Sequence, residues 1–262
     1  MILDDITAAV AKRIEQDKQR IPPEEMKRRA ADVKEKKDFP FERALSHPGI
    51  SFICEVKRAS PSKGLIAAQF PYMDIAREYE AAGAAAISVL TERDYFQGSG
   101  QYLQHIAAAV ATPVIRKDFI LDAYQIYEAR VWGASAILLI CAILEDERLV
   151  SFFHIADSLG LSVLVEAHDA GEIQRAVRCG ARVIGVNNRN LKNFTVSLDT
   201  SCRLRPLVPK ECLFVAESGI CTAADVSCLQ DNGVDAVLIG ETLMRSPDKK
   251  AMLHTLAGGR HG

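Results

Sequence analysis

Charged residues interrupt an apolar run at Phe52-Ile53-Cys54-Glu55-Val56-Lys57, and a charged or polar residue interrupts such a run four more times along the chain. Side chains alternate faces along a strand, so residues two apart point the same way. Glu55 and Lys57 therefore share a face with Ile53, which leaves Cys54 and Val56 for the opposite one. Ile115 with Lys117, Leu164 with Glu166, Gly185 with Asn187 and Val215 with Glu217 repeat the arrangement. Each time the deeper residue is apolar or small, and the polar one falls at the C-terminal end of the run. A single strand-end Lys or Glu is more often solvated or ion-paired than catalytic. Several arriving in phase are different, because desolvating unpaired charges costs several kcal/mol each. Glu55, Lys57, Lys117, Glu166, Asn187 and Glu217 are thus expected in one ring, as donors and acceptors for proton-transfer chemistry.

The elements that must carry them are short apolar runs alternating with amphipathic stretches. The runs are Phe52–Lys57, Ala85–Leu90, Val114–Phe119, Ala134–Ile140, Ser162–Ala167, Val183–Asn187, Leu213–Ser218 and Ala236–Gly240. They are Val/Ile/Leu-rich and too short for helices, which predicts strands. Helical patterns fall between them at Met73–Ala82, Ala123–Trp132, Asp146–Leu159, Ala170–Cys179 and Ala223–Asn232. Gly83, Gly133, Gly160, Gly180 and Gly233 follow these as C-caps. Strict alternation implies parallel pairing, and eight strands close a barrel. The fold class expected is α/β, a (β/α)8 TIM barrel with an N-terminal helical extension. An open doubly wound sheet is the alternative, and no GxGxxG follows the first strand to support it. In this barrel the C-terminal face carries activity, and one register puts the polar ring there.

The expected organisation is a helical extension over 1–48, a barrel over 49–257 and a loose tail over 258–262. Leu3, Ile6, Val10 and Ile14 give the extension one amphipathic helix, and Pro22-Pro23-Glu24-Glu25 opens a second. The sequence leaves open whether these cover the barrel wall or reach its mouth. The 262 residues suit one such domain, and 48% hydrophobic content fills a large core. A net charge of −2 gives no reason to expect nucleic acid or an anionic membrane as partner. No apolar run approaches the ~20 residues of a membrane span, and Met1-Ile2-Leu3-Asp4-Asp5 lacks the start of a secretory signal. Seven scattered cysteines without a CxxC pair argue against zinc and against a disulfide framework. A cytoplasmic protein is expected. Lys192, Lys210, Lys249 and Lys250 fall outside the register and read as solvated surface.

Glycines after the seventh and eighth strands point to a phosphate. Glu217-Ser218-Gly219-Ile220 ends one, and Leu238-Ile239-Gly240-Glu241-Thr242 leads the other into its helix. Backbone N–H groups there cradle phosphate in many barrels of this kind. The Ser, Pro and Gly content of the loop from Arg58 to Phe70, through Ser60-Pro61-Ser62-Lys63-Gly64, suits a partly mobile lid beside the phosphate, although composition alone favours a plain surface connection.

Glu55-Val56-Lys57-Arg58-Ala59-Ser60-Pro61-Ser62 resembles the E-x-K-x-x-S-P-[ST] signature of the indole-3-glycerol phosphate synthase family. The resemblance continues through Tyr95-Phe96-Gln97-Gly98-Ser99, Ile115-Arg116-Lys117-Asp118-Phe119, Leu164-Val165-Glu166-Ala167-His168, Asn187-Asn188-Arg189-Asn190-Leu191, Ala216-Glu217-Ser218-Gly219-Ile220 and Leu238-Ile239-Gly240-Glu241, and so covers essentially the whole chain. Asn190 stands where many members have Asp, and Glu241 where some have Ser.

The resemblance implies closure of the indole ring in tryptophan biosynthesis, from 1-(2-carboxyphenylamino)-1-deoxyribulose 5-phosphate to indole-3-glycerol phosphate, CO2 and water. It implies Lys117 as general acid, Glu166 as general base and Lys57 as an assistant holding the substrate carboxylate or donating in dehydration. Glu55 would hold a lysine, and Asn187 and Glu217 the substrate's hydroxyls or anilino nitrogen. Ser60, Arg189, Ser218, Gly219, Gly240 and Glu241 would bind substrate and phosphate. Pro61, Phe96, Phe119, Leu138, Ile140 and Leu191 would wall the aromatic ring, with core packing an equal reading for Leu138 and Ile140. No metal and no organic cofactor are expected, and other tryptophan-pathway enzymes are candidate partners. Two rivals remain. A sugar-phosphate isomerase resembling phosphoribosylanthranilate isomerase would need a Cys/Asp or Asp/Asp pair that the first and fifth strands lack. A silent metabolite-binding barrel would have no use for Lys117 and Glu166.

Overall fold

The apolar runs form eight parallel strands: β1 (Ser51–Val56), β2 (Ala86–Leu90), β3 (Val114–Lys117), β4 (Ala136–Ile140), β5 (Ser162–Ala167), β6 (Val183–Asn187), β7 (Leu213–Glu217) and β8 (Ala236–Ile239). They close in the order β1-β8-β7-β6-β5-β4-β3-β2, the expected TIM barrel. A computed structural model describes residues 2–34, 38–190 and 193–259 of the chain. Period-2 alternation sorts the strands' two faces. Ile53, Ile115, Leu164, Val215 and Leu238 meet inside the barrel with Ala86, Ala136 and Val183. Cys54, Val56, Ile137, Leu139, Val163 and Val165 pack outward under the helices. The placement of Ile53 and Cys54 on opposite faces is what the pattern around Glu55 requires.

Three helices precede the barrel, α1 (Ile2–Arg20), α2 (Pro23–Asp32) and α3 (Pro40–Leu45). The sequence pattern gave no sign of α3, and its job is architectural. Phe41 and Leu45 are buried against Ile53, Ala136 and Leu164, where they plug the N-terminal end of the barrel. Burial of each contributes roughly 1.5–3 kcal/mol. Arg182, just before β6, fixes this plug by a two-pronged ion pair to Glu42 at 2.8 and 3.0 Å.

The outer layer comprises α4 (Tyr72–Ala81), α5 (Gly100–Ala109), α6 (Ala123–Val131), α7 (Asp146–Ser158), α8 (Ala170–Arg178), α9 (Asp199–Leu204), α10 (Ala223–Asp231), α11 (Glu241–Arg245) and α12 (Lys249–Leu256). The five glycines expected as C-caps all have φ between 71° and 86°, the left-handed conformation that such a cap needs. Two expectations need correction. Lys249 is not solvated: it is mostly buried, its Nζ 3.3 Å from the Ser246 carbonyl and 3.9 Å from Glu78. Gly258 and Gly259 are not loose, because their N–H groups donate to Thr255 and His254 and close α12. Residues 260–262 of the expected tail, with Leu191 and Lys192, lie outside the described residues. Among the described residues no helix is long and apolar enough to cross a membrane.

Candidate active site

A cavity of about 1010 Å³ opens at the C-terminal ends of the strands, and Glu55, Lys57, Lys117, Glu166, Asn187 and Glu217 all line it. Each stands where its strand ends, on the face that the alternation assigns to the interior. The ammonium of Lys57 is hydrogen-bonded to the Glu55 carboxylate on the same strand face. Lys117 lies between two buried acids, its Nζ 3.5 Å from Glu166 and 3.3 Å from Glu217. Asn187 Nδ2 donates to Glu166 Oε1 at 3.4 Å.

One ammonium facing two buried carboxylates sets the electrostatics. Burial disfavours the Lys117 cation, but the charges of Glu217 and Glu166 outweigh it and push the ammonium's pKa up. Burial also opposes ionisation of Glu166, yet Lys117 and His168 overcome it and hold this carboxyl below its ordinary range. Glu217 goes the other way. Its burial exceeds the help from Lys117, and the charge of Glu166 beside it adds to the rise. The cavity therefore holds a cationic donor, an ionised acceptor and a carboxyl readier to carry a proton, which suffices for acid–base chemistry at one bound molecule.

Glycines make room for this cluster. A Cβ on Gly185 would come within 2.4 Å of Glu217 Oε1 and 3.1 Å of Leu164 Cδ1. A Cβ on Gly240 would meet Glu55 Oε1 at 2.2 Å and Lys57 Nζ at 2.8 Å. Gly240 thus has a packing reason to be glycine besides any contact with phosphate. We expect Gly185→Ala to displace the Glu217 carboxylate from Lys117 and lower kcat by about tenfold or more, since misplacement of about 1 Å can cost 10²-fold. Steady-state kinetics and a melting curve check this; unchanged kcat would mean that the carboxylate's place is immaterial.

The residues expected to hold phosphate also line the cavity: Ser60, Arg189, Ser218, Gly219, Gly240 and Glu241. Ser218 and Gly219 both have positive φ, 69° and 83°, which turns the chain sharply after β7. The Thr242 hydroxyl donates to the Ile220 carbonyl at 2.9 Å and ties this turn to the one after β8. Asn188 donates to the Ser218 carbonyl at 3.2 Å and accepts from Ser201, bracing the loop after β6. The Glu241 carboxylate is turned to Arg245 at 3.0 Å and Lys63 at 3.4 Å. Lys63 comes from the long loop after β1, which forms a hairpin of Ala59–Ser60 with Gly64–Leu65.

Pro61, Phe96, Phe119, Leu138 and Ile140 form apolar wall, and Leu138 and Ile140 belong to the barrel core as well. Phe96 and Phe119 face each other with ring centroids 6.0 Å apart. Two acids hold them there. Glu92 accepts from the Phe96 N–H at 2.9 Å, and Asp118 from the Phe119 N–H at 2.9 Å. Arg13 of α1 reaches both acids, 3.1 Å to Asp118 and 3.5 Å to Glu92. That contact decides the question left open for the extension: α1 lies at the mouth, with Ile2, Leu3 and Ile6 on the cavity wall. Sequence reasoning did not assign these three, nor Phe194 and Val196, which also line the cavity. His168 has no role among the sequence-based expectations. The signal for His168 was present, because two residues beyond Glu166 it falls in the same phase.

Comparison with known proteins bears on the chemistry. The family model described as indole-3-glycerol phosphate synthase matches residues 3–256. A protein of that name from Ruminiclostridium cellulolyticum is 54% identical over 258 residues, covering 98% of this chain and 99% of its own. Another from Endomicrobium trichonymphae is 55% identical over 246 residues, covering 94% and 95%. Among solved structures, 3-hexulose-6-phosphate synthase from Salmonella typhimurium superposes with a TM-score of 0.66 at 13% identity, covering 80% of this chain and 97% of its own. A mutant tryptophan synthase alpha-subunit from Pyrococcus furiosus gives 0.60 at 13% identity, covering 79% and 98%. Likeness this distant speaks for the barrel alone.

Proposed function

The chain belongs to the indole-3-glycerol phosphate synthase family, and from that premise we propose which of its residues close the indole ring. The reaction converts 1-(2-carboxyphenylamino)-1-deoxyribulose 5-phosphate into indole-3-glycerol phosphate, CO2 and water, in tryptophan biosynthesis. The observation that carries the assignment is the Lys117 ammonium between Glu166 and Glu217 on the cavity floor.

In the first step the carboxylate-bearing aromatic carbon attacks the ribulosyl C2 carbonyl, whose oxygen gains negative charge. Lys117 donates a proton to that oxygen. CO2 then leaves, and the C2 hydroxyl departs as water with a second proton from a lysine, while Glu166 removes the proton from the former ribulosyl C1 that makes the new five-membered ring aromatic. Lys57, steadied by Glu55, faces the same space and holds the substrate carboxylate or donates in the dehydration. Held ionised, Glu166 is always free to accept. A bound dianionic phosphate and carboxylate weaken the field of both lysines, which raises its basicity when it is needed. Asn187 and Glu217 take the substrate's hydroxyls or anilino nitrogen. The turns at Ser218-Gly219 and Gly240-Glu241, with Ser60 and the forked donors of Arg189, take the phosphate end. Pro61, Phe96, Phe119, Leu138 and Ile140 clasp the anthranilate ring.

Mixing the protein with the carboxyphenylamino substrate and following indole fluorescence tests this reading. Fluorescence should grow in step with CO2 release; silence with this substrate, alongside isomerisation of phosphoribosylanthranilate, would favour the isomerase rival. Every step is a proton transfer or a heterolysis that these side chains can serve. Turnover should therefore survive exhaustive chelation, and activity lost to a chelator and restored by added metal would overturn that. We place the chain in the cytoplasm, where thiols stay reduced, with its small substrate and other tryptophan-pathway enzymes as partners.

A further inference from the structure

Behind the Glu166 carboxylate, outside the cavity lining, stands a side chain that ring closure as described does not use. His168 is mostly buried, with Nε2 3.3 Å from Glu166 Oε1 and Nδ1 3.0 Å from Glu172 Oε2. Glu172, on α8, also accepts the backbone N–H of His168 at 2.7 Å, so the loop and the ring are held by one carboxylate. With an acid on each side, neither ring nitrogen has reason to give up its proton. Burial would lower the imidazole's pKa, but Glu166 and Glu172 together lift it to about 10. The groups facing this pair are Glu166 on β5 and Glu172 on α8, then beyond Glu166 the Lys117 ammonium of β3, the Asn187 amide of β6 and the Glu217 carboxyl of β7, and beside Glu172 the Cys141 thiol that follows β4 and the Arg175 guanidinium of α8.

We propose that His168 is a positioning residue for the ring closure, an imidazolium clamped by Glu172 that holds the Glu166 carboxylate toward the cavity from its protein side. Glu166 then sits between two cations, Lys117 on the substrate side and His168 behind it. When Lys117 gives up its proton to the substrate oxygen, the rear cation remains. The acceptor thus stays placed and ionised at the moment its neighbour loses charge. The inference rests on the reading of Glu166 as general base.

The test is the pH profile of kcat/KM for His168→Gln and Glu172→Gln, beside the unmodified protein and Glu166→Gln. His168→Gln leaves an amide near the place of Nε2 and removes the charge. An opposite charge at this range shifts a carboxyl by about one to three pH units, and its loss lets Glu166 take up a proton at higher pH. The acid limb of kcat/KM, which reports the free enzyme's essential base, should therefore move upward by about that much in His168→Gln. It should move by less in Glu172→Gln, where the imidazolium loses its clamp but keeps its charge at acid pH. KM near the optimum should change by no more than about twofold, because His168 does not line the cavity. An acid limb unmoved in both variants, or a loss of activity matched by a fall in melting temperature without any shift of the limb, overturns the proposal. Glu166→Gln separates this from the reading beneath it. If that variant turns over normally, Glu166 is not the base; if it is inactive while the His168 and Glu172 variants keep the original limb, only the role of His168 fails.

Discussion

Lys117→Ala is expected to lower kcat by at least ~10²–10⁴-fold, the usual contribution of a positioned acid. The loss should stand at the upper end, because the substitution removes more than a donor. Glu166 and Glu217 lie 3.5 and 3.3 Å from that ammonium. Without it two buried carboxylates confront each other with no cation between them, and one must take up a proton. Glu217 takes it more readily, and Glu166 loses the cation that holds it from the substrate side. Single-turnover measurements with the carboxyphenylamino substrate give the comparison, and near-normal turnover in the variant would remove Lys117 from the mechanism.

The second large effect belongs to stability. Asp118 neighbours Lys117 in sequence, and it is almost wholly buried. It accepts from Arg13 at 3.1 Å, Arg116 at 3.0 Å and the Thr91 hydroxyl at 2.6 Å. Burial works against its charge, but Arg116 and Arg13 more than offset this and hold its pKa low. Asp118→Ala leaves two guanidinium ions without that partner in a dry setting, which costs about 3–5 kcal/mol. At roughly 2–4 °C per kcal/mol for domains of about this size, the melting temperature should fall by about 6–20 °C. KM should rise as well, since the same contact pins α1, whose Ile2, Leu3 and Ile6 line the cavity. A variant melting within about 2 °C of the parent would show that the network is dispensable.

Much of this was legible in the linear chain. The strands could be read because burial on both faces writes them as continuous Val/Ile/Leu runs, and their polar ends because alternation has a fixed period. The C-cap glycines were legible for a similar reason, since their φ values follow from a local requirement. Contacts spanning long stretches of sequence were not. Nothing near Arg13 announces Asp118, 105 residues away, so the place of the extension stayed open until the fold was in hand. The plug α3 is only six residues long, too short to display a period. Arg116 shows the limit of pattern from the other side. By phase it faces the helix layer, where it is fully buried over the ring of Trp132 at 4.4 Å and bonded to Glu128 at 3.2 Å; a charge in an apolar run signals the interior only when its phase agrees.

Phe41 and Leu45 stop the lower end of the barrel, so among the described residues the cavity opens at the C-terminal ends of the strands. Charge balance requires a hydron from outside in every cycle, because the substrate surrenders an anionic carboxylate as neutral gas. Whatever is swallowed or exhaled at each turnover, that hydron, the carbon dioxide, the water and finally the indole, must share the passage by which the sugar phosphate came in.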